Sequence, residues 1–369
     1  MIEFLTSDDP SWDDRLAEAP VDVYHRAGYH RFSAGAEEGE AVLAIAGTGG
    51  QGFAWPYLRR RIQNVPGFED TGWADVHSVY GYPGPVAWGC EPGDEFVRGS
   101  WDALQAEWRR QGVIAAFTRF HPLLDNAALG RVLVPEGNGD PPIVPNGATV
   151  SIDCTLTDEQ AVGSYARVLR QEVARSRREG LRTEHDEEWT EGGTFVRLYD
   201  QTMDRNRAAE SYRLSVDDVR RLKGHLEPHV HLLITHLAGA VVAAGIFTEY
   251  HGIVQAHLVG TDDAYRRLSP LKVLLDDARR WARRRGNRVL HLGGGRGGRE
   301  DSLFAFKARF SDRRHDFHTG RWILDRAAYD ELVVNRTRDN GGRHGVAPDP
   351  SWFPAYRAPL TDPRSADSV

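Results

Sequence analysis

Twice along this chain, three strand-like runs are followed by an amphipathic helix and a fourth apolar strand, and that repeated order limits the folds open to it. In the second half, "HVHLLITHL", "AVVAAGIFTEY" and "IVQAHLVGT" are apolar, β-branched runs separated by Ala-Gly and His-Gly turns. The segment "SPLKVLLDDARRWARRRG" then predicts a helix. Ser269 is placed as N-cap and Pro270 at the first turn, Leu271, Leu274, Leu275, Ala278 and Trp281 form one stripe, and Gly286 is the stop. The strand "NRVLHL" closes the unit. Earlier, "AVLAIAG" and "GFAWPYLRR" form a hairpin around "TGGQ", and "ADVHSVYG" is a third strand. The helix "WDALQAEWRRQG" and the strand "VIAAFTRF" complete the first unit. The pattern predicts an α/β protein with a mixed sheet, built from two units of one topology.

A chain of 369 residues with 40% hydrophobic content, ten Trp and fourteen Phe can fill cores for both units. Its net charge of −7 argues against a general polyanion binder, although a local basic patch is compatible with it. Two cysteines exclude a disulfide framework. The start "MIEFLTSDDPSWDDRL" lacks the basic and apolar regions of a secretion signal, and the most apolar stretch breaks at His236 and an Ala-Gly turn. The expectation is a soluble, cytoplasmic protein without membrane insertion. The Pro/Gly-rich "VPEGNGDPPIVPNG" marks a boundary. The expected organisation is a first unit over 1–150, a second over 151–315, a return segment over 316–335 packing on the first unit, and an extended or disordered tail over 336–369.

Several stretches together resemble one family. They are "YGYPGP" at 80–85, "TRFHPLL" at 118–124, "RQEVARSRREG" at 170–180, "YDQTMDRNRAAESY" at 199–212, "HLVGTDDAYRRLSP" at 257–270 and "GGGRGGREDSLFAFKARF" at 293–310. With the strand–helix order, they resemble two tandem acyltransferase units of the GNAT fold, as in the FemABX aminoacyl transferases and related FemAB-like acetyltransferases. That resemblance implies amide formation, in a cleft between or beside the two units, by an enzyme that needs no covalent intermediate.

Lys307 is one of only three lysines in a chain holding 46 lysine and arginine residues. Its bland reading is a solvated helix cation. The resemblance places a Phe-Lys pair, here Phe306 and Lys307, beside the reacting centre. When an amine attacks an ester or thioester carbonyl, negative charge grows on the carbonyl oxygen, and a compact ammonium aimed there lowers the barrier. The expected helix starts near Asp301, with Leu303, Phe306 and Phe310 facing the core. Gly293, Gly294 and Gly295 fail both the P-loop and the dinucleotide spacing, and they read as a strand exit that lets the backbone approach a ligand. Arg205, Arg207 and Tyr212 are candidates for an acceptor phosphate or carboxylate. Tyr80 and Tyr82, on a strand end, are candidates to line the cleft. His257, near the end of the third strand, and Asp301, a possible proton acceptor, join the set. His229, His231 and His236 lie on opposite strand faces and have no Cys or carboxylate partners, so no metal site is predicted.

In a GNAT enzyme the donor pyrophosphate rests on a Gly-containing loop ahead of the long helix. Here that position reads "RRLSPL", without glycine and with Pro270 removing an N–H. The departure favours aminoacyl-tRNA over coenzyme A as donor, and no tightly bound cofactor. Arg167, Arg170, Arg175, Arg177, Arg178 and Arg182, read as one long helix, could meet RNA phosphates or form a solvated face. The expected activity moves an aminoacyl group onto the amine of a small-molecule or peptidoglycan-precursor-type acceptor. Alternatives are an acyl-CoA-dependent N-acyltransferase of polysaccharide or secondary-metabolite synthesis, and a silent precursor-binding relative.

Overall fold

Gly49 and Gly50, both at positive φ, supply the two-residue turn that folds β2 (Glu40–Thr48) onto β3 (Gln51–Arg61). The computed structural model describes residues 2–37, 39–65, 68–69, 71–134, 142–208, 212–338 and 352–358. Before the hairpin come β1 (Glu3–Thr6), the short α1 (Trp12–Arg15) and α2 (Ala27–Glu37). After it follow β4 (Ala74–His77), β5 (Val86–Trp88), α3 (Glu95–Arg110), β6 (Val113–Arg119) and α4 (Ala127–Gly130). β1, β2, β3 and β4 pair antiparallel in that order, β5 pairs with β3, and β4 lies parallel to β6 across the α3 crossover. The core beneath is tryptophan-rich. The Trp55 ring lies 5.8 Å from Trp101 and 5.2 Å from Trp108, and Trp108 Nε1 donates to the Tyr57 hydroxyl at 3.1 Å.

The second compact unit, Asn146–Asp316, repeats the plan. Its elements are β7 (Ile143–Asp153), α5 (Asp158–Ser164), α6 (Arg167–Arg178), β8 (Arg182–His185), α7 (Gly192–Arg205) and α8 (Val216–Leu226). The meander β9 (Val230–Leu237), β10 (Ala240–Tyr250) and β11 (Ile253–Thr261) follows. Then come α9 (Pro270–Arg284), β12 (Val289–Gly294) and α10 (Ser302–Lys307). The sheet order is β8-β9-β10-β11-β12-β7, with β11 and β12 parallel and the other pairs antiparallel. One face packs Leu290, Leu292, Val254 and Phe247 against Leu169, Val173, Leu274 and Trp281 of α6 and α9.

The long arginine helix expected before β8 is two helices. Tyr165 turns to extended backbone at ψ 147°, and the Ala166 N–H donates to Arg309 O at 2.9 Å, so α5 ends and α6 starts anew. The reason is a buried polar knot. The Tyr165 hydroxyl donates to Asp276 Oδ1 at 2.9 Å, Arg279 donates to Asp158 at 2.9 Å, and Arg177 reaches Asp276 at 2.7 Å. Ser269 stands at the N-cap position of α9 at φ 51° but makes no side-chain cap, so it does not serve as the predicted cap.

From Phe317 the chain belongs to the first unit, Met1–Pro145 with Phe317–Val369. β13 (Arg314–Ile323) pairs antiparallel with β6 and brings Trp322 to 4.9 Å from Trp55. α11 (Arg326–Arg338) runs past the expected start of the tail. A further piece, 352–358, is packed rather than extended in solvent. Tyr356 is fully buried and donates to Asp75 Oδ2 at 3.1 Å, and Arg357 bonds the same carboxylate. The rest of the expected tail, and residues 135–141 of the expected boundary, lie outside the described residues.

Candidate active site

β11 and β12 are paired at only three positions, Ile253–Val289, Val254–Leu290 and Gln255–His291. Each strand then runs on, β11 to Thr261 and β12 to Gly294, without further pairing between them, which leaves a wedge in the sheet. Both strands are irregular at its apex. On β11 the register to β10 skips His257 between Ala256 and Leu258, and on β12 the register to β7 skips Leu292. Such bulges re-aim side chains and end pairing. Ala256 to Val259 are accordingly half-exposed in a strand whose start is buried. His257 is thus the extra residue of a bulge at the wedge, a position that alternation alone did not mark.

Lys307 stands at the open end of β12. Its Nζ donates to Gly294 O at 2.7 Å, leaving two further N–H groups on a half-buried side chain. Burial lowers its pKa to about 8, against a smaller raising effect of Asp301. Below that value it is an ammonium in a poorly hydrated setting, where its field acts strongly. Asp301 is the N-cap of α10 and accepts from Leu303 N and Phe304 N, both at 3.0 Å. Burial raises its pKa, but the N–H donors of Phe304, Arg296 and Leu303, with the Arg296 charge, outweigh it and hold the carboxyl below its ordinary value. Its Oδ1 takes both cap bonds and its Oδ2 accepts from Arg296 N at 3.3 Å, which makes it a weak proton acceptor. On α10 the buried residues are Phe304 and, just beyond it, Phe310. Phe306 is half-buried with its ring 5.6 Å from Phe310, and Leu303 stays outside the core cluster.

The glycines have a more local explanation than ligand approach. Gly293 takes φ 74°, which only glycine adopts readily, and a Cβ on Gly295 would lie 1.9 Å from Arg299 O. The chain's own backbone fills the space next to Gly295.

The remaining candidates lie on other elements. Arg205 ends α7 and is engaged at the end of β11, paired with Asp263 and donating to Thr202 Oγ1 at 3.2 Å and Thr261 Oγ1 at 3.4 Å. Arg207 lies past the helix end at φ 50°, exposed, and Tyr212 is also exposed; residues 209–211 between them lie outside the described residues. Tyr80 and Tyr82 belong to the first unit, beyond the end of β4 rather than on it. Tyr80 is 49% exposed, whereas the Tyr82 ring packs among Tyr24, His121 and Phe317 at 5.7, 5.8 and 5.2 Å. Among the described residues no three His, Cys, Asp or Glu side chains converge so as to hold a metal ion.

The segment before α9 offers few anion donors. Pro270 has no N–H, and the carbonyls of Arg267 and Leu268 accept from Arg175 at 2.9 Å and Ser176 at 2.6 Å of α6. Of the α6 arginines, Arg177 is tied to Asp276 and Asp277, while Arg167, Arg170, Arg175 and Arg178 are exposed along one face. Among the described residues no helix is long and apolar enough to cross a membrane.

A family description, the acetyltransferase (GNAT) domain, matches residues 163–308, the stretch that contains the wedge and Lys307. No curated protein sequence matches the chain. Among solved structures, FemX superposes with a TM-score of 0.67 at 12% identity, covering 90% of this chain and 99% of its own. L-PGS from Bacillus licheniformis gives 0.54 at 12% identity, covering 90% and 96%. The C-terminal domain of a putative lysylphosphatidylglycerol synthetase from Agrobacterium fabrum gives 0.52 at 16% identity, covering 88% and 96%.

Proposed function

We propose that this chain is a FemABX-like acyltransferase of the GNAT superfamily and that it moves an aminoacyl group from aminoacyl-tRNA to the amine of a small-molecule or peptidoglycan-precursor-type acceptor. The observation that carries the reading is Lys307, whose ammonium is fastened to Gly294 O beside the wedge. As amine nitrogen bonds to acyl carbon, charge grows on the carbonyl oxygen. Lys307 stabilises it with its remaining N–H groups, and Gly294 O fixes where the ammonium points. Phe306, next to it in sequence, packs against the core with its ring 5.6 Å from Phe310. Arg207 and Tyr212 are the proposed acceptor contacts.

Two features favour the tRNA donor over a thioester. The segment before α9 turns carbonyls to α6 and carries Pro270 where a pyrophosphate would need N–H groups. The exposed arginines of α6 offer a strip of charge for phosphates. FemX and L-PGS supply the fold context. The GNAT domain match favours a second reading, an acyl-CoA donor used by the same lysine.

Binding of the purified protein to a pool of aminoacylated tRNA, followed across a salt series with uncharged tRNA as competitor, separates the two. The tRNA reading requires preference for the charged pool, with log affinity falling by about 0.7–0.9 per log salt for each phosphate contacted. Absence of binding at physiological salt, with saturable release of coenzyme A from acetyl-CoA, replaces it with the second reading.

A further inference from the structure

Beyond Gln255 the edge of β11 that faces β12 has no strand partner, while its other edge stays paired with β10 as far as Thr261. Burial along β11 follows the wedge and then returns. Ala256 to Val259 are half-exposed, whereas Gly260 and Thr261 are buried again. What meets them there is α7. A Cβ on Gly260 would lie 2.5 Å from Tyr199 N and 2.6 Å from Leu198 C, so strand and helix touch backbone to backbone, an approach that glycine permits. At the next residue the helix takes a strand hydrogen bond. Asp262 N donates to Val242 O of β10 at 3.0 Å, so by the alternation of an extended chain the Thr261 N–H points to the open edge. In a continuous sheet a β12 carbonyl would accept it. Here Thr202 Oγ1 accepts it, at 3.1 Å. The same hydroxyl accepts from Arg205 Nη2 at 3.2 Å and donates to Leu198 O at 3.0 Å, so its hydrogen and both lone pairs are used. Arg205 also donates to Thr261 Oγ1 at 3.4 Å and pairs with Asp263. Asp263 N donates to Gln201 Oε1 at 3.0 Å, and Arg197 pairs with Asp262 at 3.2 Å. The end of β11 and the turn after it are thus bound to the C-terminal half of α7.

An unpaired strand edge is a template for pairing, because each open N–H and C=O is a hydrogen bond the sheet has not made. A wedge that stays open for a reacting carbonyl therefore needs something other than sheet pairing to hold it. We propose that Thr202 and Arg205 of α7 are positioning residues that keep the wedge open at a fixed width, an inference that rests on the acyl-transfer reading. Thr202 takes the N–H through which β12 would zip onto β11, and Gly260 lets the helix come close enough for it to do so. Arg205 locks the Thr202 hydroxyl and joins it to Asp263, in the segment that leads to α9. Both act on the reaction through β11. That strand is one wall of the wedge, and Lys307 stands at the end of the other. The clamp thereby sets the gap across which a donor carbonyl meets the ammonium. Arg205 has this role in place of the acceptor anion that its sequence context suggested.

The experiment compares wild type with Thr202→Val, Thr202→Ser, Arg205→Gln and Lys307→Ala. Amide hydrogen exchange over residues 256–263 is followed beside turnover and melting temperature. The donors are an aminoacyl-tRNA pool and acetyl-CoA, with a mixed panel of amino acids, amino sugars and lysine peptides as acceptors. Thr202→Val keeps the shape of the side chain and removes the acceptor, so exchange over 256–263 should quicken by about fivefold to tenfold while β9 is unchanged. Its kcat should fall by about 10²-fold, as a wall displaced by about 1 Å requires, with KM within about twofold. Arg205→Gln should lose about tenfold in kcat, and Thr202→Ser, which keeps the hydroxyl, should recover most of the rate and the slow exchange. Unchanged exchange in Thr202→Val, turnover within about twofold of wild type, or a loss that Thr202→Ser does not restore overturns the clamp. If Lys307→Ala still drops in each of those cases, the acyl-transfer reading stands. Wild type without turnover on either donor, or Lys307→Ala as active as wild type, overturns that reading and the role of the clamp with it.

Discussion

Replacing Lys307 by methionine should make the protein more stable and nearly inactive. Burial lowers the lysine from its ordinary value of 10.5 to about 8. At about 1.4 kcal/mol per pH decade, keeping the ammonium in place at neutral pH costs folding about 3 kcal/mol. The bond to Gly294 O returns about 1.5 kcal/mol, as hydrogen bonds to charged groups do. Methionine fills the space without either contribution, so Lys307→Met should gain between about 1 and 2 kcal/mol at pH 7. The gain should depend on pH in a definite direction. Between pH 8 and 10.5 the unfolded wild type holds a proton that the folded form has lost, so wild-type stability rises there and the variant's advantage disappears. Urea unfolding at several pH values from 7 to 10 measures this, and a turnover loss of about 10²-fold or more should accompany it. A variant no more stable than wild type at pH 7, with the same pH slope, would refute the claim that a half-buried cation is kept at the expense of stability. Unchanged turnover would remove its catalytic role.

Asp75 is fully buried and accepts from Arg60 at 2.9 Å, from Tyr356 and from Arg357, so Asp75→Asn should destabilise the first unit by about 3–5 kcal/mol; calorimetry that finds under 1 kcal/mol contradicts the anchoring of 352–358. His25 and His30 are fully buried, and burial lowers them to about 4 and about 3. The unfolded chain binds protons at both from about pH 6.5 downward while the folded unit does not, so stability should fall by roughly 1.4 kcal/mol per pH unit for each as pH drops from 6.5 toward 4. Tryptophan fluorescence should report this acid transition, and a His30→Gln variant that unfolds at the same pH as wild type argues against it. Gly295→Ala should displace the start of α10 and lower turnover and melting temperature together, because its Cβ would collide with Arg299 O; an unaltered melting temperature would mean the loop yields freely.

The order of strands and helices was legible from sequence because it rests on local chemistry. Alternating β-branched residues, glycine turns and helices ending in arginine and glycine specify elements wherever the chain places them. Lys307 was legible as an odd residue in an arginine-rich chain, and the segment before α9 through its proline. The two-helix form of 158–178 was not, since its cause, Asp276 and Arg279, lies more than a hundred residues away. Nor was the anchoring of Tyr356 by Asp75, 281 residues apart. Leu303 and Phe304 exchanged roles because a six-residue helix has too few turns for periodicity to fix its face.

The sequence by itself determined the elements, their order and the unusual cation, all properties of neighbours within a few turns of chain. Only the tertiary structure decided that β11 and β12 part after Gln255 and His291, that His257 is a bulge, and that the Thr261 N–H meets Thr202 of α7. Register between strands is set by packing against distant helices, and a shift of one residue would send each of these side chains to the opposite face.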